Sequence, residues 1–120
     1  MKESLKSQKA YGRDTEPVTV SISYSPERRE LMVRPTAIVL SKGSRQEGRW
    51  KSENGRVEII FDRPAPFHYY HYRCPAKGSC LSGVLNGEVQ ARAYSYVVRV
   101  VSARDDQPDP VEVRAEIIIK

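Results

Sequence analysis

The chain reads as all-β, a single antiparallel Greek-key β-sandwich of about seven or eight strands, and three observations predict it. Residues 91–101 place Tyr94, Tyr96, Val98 and Val100 on one face at a period of two, with Ser95 and Arg99 on the other. The C-terminal stretch alternates as cleanly, Val111, Val113, Ala115, Ile117 and Ile119 against Glu112, Arg114 and Glu116. Turn residues divide the chain at short intervals, seven tyrosines and eight prolines accompany them, and no Ala/Leu/Glu/Lys-rich run favours helix. At 120 residues there is length for one domain with one ordinary core.

Residues 1–16 are polar and of mixed charge, with too few apolar positions to pack, and are expected to form a flexible tail. The sandwich domain is expected over 17–120. Pro17 opens a strand in which Val18, Val20, Ile22 and Tyr24 alternate with Thr19, Ser21 and Ser23. Ser25-Pro26-Glu27 turns the chain into a short strand over 30–34 with Leu31 and Val33 inward, stopped by Pro35. Residues 36–40 are more continuously apolar, as suits the middle of a sheet, and 41–48 form an exposed connection.

Segments 49–52 and 57–61 flank Asn54-Gly55, the strongest short hairpin signal in the chain, with Trp50, Val57, Ile59 and Phe61 pointing inward. Residues 63–67 leave the sheet in an extended conformation. Asn86-Gly87 predicts a second hairpin, and 105–110, rich in Asp and Pro, a loop.

Net charge is +5. No apolar run approaches the ~20 residues of a membrane-spanning helix. The first residues lack the apolar block of a secretory signal, which points to the cytoplasm and to free thiols at Cys74 and Cys80 as the default. A leader removed ahead of this sequence reverses that default.

Three pieces, residues 50–61, Pro66-Phe67-His68 and residues 94–98 (Tyr-Ser-Tyr-Val-Val), together resemble the cupredoxin (plastocyanin/azurin-type) sandwich. The resemblance covers roughly residues 17–120 as a fold. In that family a Tyr-x-Phe/Tyr-x-Cys strand enters a copper loop, a His and a Met follow the Cys, and an upstream His completes the site. Here the Cys position falls on Val98, nothing after it is His, Met or Cys, and only His68 corresponds to the upstream ligand. What the resemblance implies is therefore the sandwich without its copper. An immunoglobulin-like sandwich produces the same pattern, though the paired Cys expected on an early strand and near Tyr96 are absent.

All histidines and cysteines fall within residues 68–80, His-Tyr-Tyr-His-Tyr-Arg-Cys-Pro-Ala-Lys-Gly-Ser-Cys. His68, His71, Cys74 and Cys80 are a sufficient donor set for tetrahedral zinc, or for an atypical copper site. A strand over 68–73 would point the two histidines to opposite faces, and the second Cys comes late for a zinc knuckle. A Cys74–Cys80 disulfide is the other alternative to free thiols.

Phe67, Tyr69, Tyr70, Tyr72 and Arg73 mix aromatic and cationic groups as protein-binding surfaces do, against the plain alternative that alternate tyrosines pack inward. Arg45, Arg49, Lys51 and Arg56 lie in a basic stretch able to meet phosphates, although Glu47 and Glu53 interrupt it as they would a solvated sheet face.

No nucleophile elbow, phosphate-cradling Gly-rich loop or His-Glu-x-x-His is present. Asp105, Asp106 and Asp109 have the spacing of no calcium motif. The expected function is a non-catalytic binding module with no cofactor, engaging another protein or a second copy of the chain. Its expected surfaces are residues 64–80, or an exposed edge such as the strand 111–119. A metal-binding protein is the alternative, and weak nucleic-acid binding the third.

Overall fold

A computed structural model describes residues 16–101 and 111–120. The expected tail, apart from residue 16, and the loop with Asp105, Asp106 and Asp109 lie outside the described residues. Those described contain no helix and nine strands: β1 (Val18–Ser25), β2 (Glu30–Arg34), β3 (Ala37–Leu40), β4 (Gly48–Ser52), β5 (Val57–Phe61), β6 (His71–Cys74), β7 (Ser79–Leu81), β8 (Ala93–Val100) and β9 (Glu112–Ile119). A four-stranded sheet, order β2-β1-β4-β7, packs on a five-stranded sheet, order β3-β9-β8-β5-β6.

The sheets are mixed and not purely antiparallel. β1 runs parallel to β4, and β3 parallel to β9. Parallel neighbours need a long crossover, and here the path through the opposite sheet supplies it.

The period-two pattern is realised strand by strand. Val20, Ile22, Leu31, Val33 and Trp50 from one sheet meet Val57, Ile59, Phe61, Tyr94, Tyr96, Val98, Ala115, Ile117 and Ile119 from the other, all buried. Trp50 sits at the centre, its ring 5.6 Å from Tyr96, 5.1 Å from Tyr72 and 6.0 Å from Phe61. Such tilted and edge-on contacts between aromatic rings add to their area burial.

Several expectations are corrected. β4 and β5 lie in different sheets, so Asn54-Gly55 is a crossing between layers and no hairpin. Asn54 Oδ1 accepts from Tyr24 N–H at 2.9 Å, and its Nδ2 donates to Tyr24 O. The side chain thus prolongs the β1–β4 ladder by one position, while Gly55 takes the positive φ (81°) that turns the chain away.

Asn86-Gly87 likewise joins β7 to β8 across the layers; Val89 N–H donates to Asn86 O in a local turn. β3 is an edge strand with alternating burial, not a central one, and β9 is no edge, since β3 and β8 flank it.

Candidate partner-binding site

The segment 62–70 joins β5 to β6 and is pinned to the core at its middle and its end. Pro66 is fully buried and Phe67 is 2% exposed. Phe67 stacks edge-on against Phe61 at 5.7 Å, bridges to Leu85, and Asn86 N–H donates to Pro66 O at 2.8 Å. At the far end Phe61 N–H donates to Tyr70 O at 2.7 Å. An apolar Pro-Phe pair anchored this way fixes the residues beside it without a helix or strand of their own.

Between those anchors the side chains turn outward. Tyr69 is 69% and Tyr70 43% exposed. The Arg63 guanidinium lies 4.1 Å above the Tyr70 ring, a cation–π stack that holds both. Tyr69 rests edge-on against Tyr72, with centroids 6.4 Å apart.

Tyr72 is the support beneath. Its ring is buried, and its hydroxyl donates to Ser82 O at 2.7 Å, with Tyr69 O also in reach at 3.1 Å. Burial, then the neighbouring Tyr69 and Glu47, pushes its hydroxyl pKa up from the ordinary value. Tyr72 therefore stays a neutral donor.

Of the expected contact residues, Phe67 and Tyr72 belong to the core and are corrected to anchors, while Tyr69, Tyr70 and Arg73 face solvent. Arg63, which sequence reasoning missed, completes the ledge. No spacing rule brings a residue seven positions upstream onto a tyrosine face, because a loop and not a periodic element joins them.

The free-thiol expectation is also corrected: Cys74 and Cys80 form a disulfide, and it joins β6 of one sheet to β7 of the other. The turn between them is tight. Gly78 N–H donates to Pro75 O at 3.2 Å, and a Cβ on Gly78 would lie 2.7 Å from Pro75 Cγ.

The expected metal set is not brought together. His71 Nε2 pairs with Glu58 Oε2 at 2.5 Å, His68 lies on the exposed segment, and both sulfurs are bonded to each other. Among the described residues no three His, Cys, Asp or Glu side chains converge.

The basic set disperses as well. Arg49 and Lys51 stand on the outer face of the four-stranded sheet, where Lys51 is opposite Ser21 and Ser21 opposite Arg34. Arg45 lines an open groove with Lys42 and residues 84–87. Arg56 instead joins Arg73 around an open groove beside Cys74 and Pro75.

No family model matches the chain, and no curated protein sequence matches it.

Proposed function

We propose that this protein is a non-catalytic protein-binding module whose contact surface is the ledge of Arg63, Tyr69 and Tyr70, with Arg73 at its margin. The observation that carries the reading is a pair of exposed aromatic rings on a segment anchored to the core. Tyr69 and Tyr70 present large rings to solvent while Tyr72 packs against Tyr69, Arg63 stacks on Tyr70, and the buried Pro66 and Phe67 pin the segment that carries them. Rigid exposed tyrosines beside arginine give contact area at little cost in ordering, which is how a few residues come to dominate an interface.

The scaffold reading is a copper-free sandwich of cupredoxin-like or immunoglobulin-like type following a Greek-key path. The family likeness rests on the residue pattern quoted above alone, while a chain that changes sheet at β2–β3, β3–β4, β4–β5, β6–β7 and β7–β8 is what supports the Greek-key path. At the copper-thiolate position Val98 is wholly buried among apolar neighbours. The disulfide favours an oxidising compartment over the cytoplasm.

Affinity capture with the wild type, a Tyr69→Ala/Tyr70→Ala variant and a Lys51→Ala control on the opposite sheet tests the site. The expected result is a specific protein whose affinity drops about tenfold or more in the double tyrosine variant and holds in the control. The thermal midpoint of the double variant should stay within about 2 °C of wild type, as for exposed positions. Undiminished capture, or a loss of stability matching the loss of binding, rejects the ledge.

A further inference from the structure

Among the described residues the two sheets end in the edge strands β2 and β7, and β3 and β6. An edge offers unpaired main-chain N–H and C=O groups to any strand that reaches it, and proteins blunt edges with charges, prolines or short length. β2 carries Glu30 and Arg34, β6 carries His71 and Arg73, and β7 is only three residues long. β3, Ala-Ile-Val-Leu, carries no charge at all. We propose that β3 is a homodimerisation edge: it pairs antiparallel with β3 of a second copy of this chain about a two-fold axis, so that two five-stranded sheets become one continuous sheet.

The register follows from the main-chain groups already in use. Glu116 N–H donates to Thr36 O, Lys120 N–H to Leu40 O and Lys42 N–H to Lys120 O. Even-numbered residues of β3 therefore bond to β9. Alternation along a strand then points the N–H and C=O groups of Ala37 and Val39 to the free edge. Setting Ala37 opposite Val39 of the second copy, and Val39 opposite Ala37, uses all of these groups in both chains. Ile38 meets its own copy on the axis, as an isologous contact requires.

The ends of this register also close. Ser41 falls opposite Pro35 of the second copy. Pro35 has no N–H to strand, and Ser41 O is already taken by Ser44 N–H at 3.1 Å and Ser44 Oγ–H at 2.7 Å. The remaining donor, Ser41 N–H, meets the remaining acceptor, Pro35 O.

Side chains agree with the main chain. Val39 is 46% exposed on the outer face, opposite Ile118, which in turn is opposite Ala93. Pairing carries this uncharged strip across the axis to Ala37, and over residues 35–41 it sets no like charges opposite one another. A strand this short buries less than the ~1,200–2,000 Å² of a stable interface, so the dimer is weak and concentration-dependent.

β3 and β6 are opposite edges of one sheet. The dimer thus sets its two tyrosine ledges at the far ends of the joined sheet, roughly 40 Å apart at ~4.8 Å per strand. A repetitive partner gains avidity from that spacing. This consequence alone rests on the function proposed above.

Sedimentation velocity of the oxidised chain from about 5 µM to about 1 mM reads the equilibrium, a range that brackets weak association. The expected result is a mass climbing from the 13.7 kDa of one chain toward twice that value. Hydrogen exchange at the Ala37 and Val39 amides should slow in step. Val39→Lys and Ala37→Lys, both at exposed sites, should fold as wild type and remain monomeric, whereas Leu81→Lys on the β7 edge should dimerise normally. A single-chain mass throughout, or concentration-independent exchange at those two amides, overturns the proposal. Dimerisation by both lysine variants overturns it too. Because the lysine variants leave Tyr69 and Tyr70 exposed, they bind the ledge's partner whether or not they dimerise, and the two readings fail separately.

Discussion

Trp50 Nε1 and Tyr96 Oη are fully buried at the centre of the sandwich, and among the described residues neither makes a hydrogen bond of good geometry. Burial raises the Tyr96 hydroxyl pKa, and an interaction with the Trp50 side chain, too poorly aligned to be a full hydrogen bond, partly offsets it. A buried hydroxyl with no better partner than this recovers little of the hydration it forfeits. Tyr96→Phe is therefore expected to leave stability unchanged or to raise it by up to about 1 kcal/mol, seen as a thermal midpoint up to about 6 °C higher. A clear loss on thermal melting would show that the hydroxyl does find a partner in solution. The period of two identified Tyr94, Tyr96 and Trp50 as inward, because alternation alone decides the face. It carried no information about acceptors. Tyr94 Oη reaches the Gln90 main chain and Tyr72 Oη reaches Ser82, both through folding of irregular segments.

At the scale of elements, strands were legible and their neighbours were not. The inward residues of β4 and β5 are those the alternation indicated, yet the Asn54-Gly55 signal pointed to a hairpin that does not form. Local turn chemistry reports that the chain reverses there; it cannot report whether the reversal stays in one sheet or crosses to the other. The deciding contact is between Asn54 and Tyr24, thirty positions apart in sequence. Asn54→Ala removes both of its bonds to the Tyr24 main chain and leaves those groups part-buried, at an expected cost of about 1–3 kcal/mol. Thermal melting reads this as a midpoint several degrees lower. A near-isosteric change is no rescue: Asn54→Asp keeps the acceptor but opposes a carboxylate to Tyr24 O, and should lose a similar amount. The same blindness to tertiary neighbours made β3 look central and β9 look like an edge. Burial on one face reads from pattern, while position within a sheet depends on pairings no local window contains.

For the whole molecule the candidate site was half legible. The segment 68–80 stood out because every His and Cys lies in it, and it does hold exposed aromatics; which tyrosines are anchors and which are free depended on Ser82 and Phe61 from other elements. The cysteines were legible as a pair that a short loop could close, but the choice between bonded and free sulfur rested on a compartment default and not on the fold. That bond closes a loop with a sequence separation of 6 and ties the layers at one edge. Constraining so short a loop in the unfolded chain is worth roughly 2 kcal/mol. Reduction, or a paired Cys74→Ser/Cys80→Ser variant, is expected to lower the thermal midpoint by about 10 °C, taking the usual shift per kcal/mol for a domain near this size. The strand signature in far-ultraviolet circular dichroism should persist at room temperature, because the Trp50–Phe61–Tyr96 cluster joins the sheets independently of sulfur. Unchanged melting under reduction would mean the layers need no covalent tie. Loss of the strand signature at room temperature would mean the aromatic core cannot hold them alone.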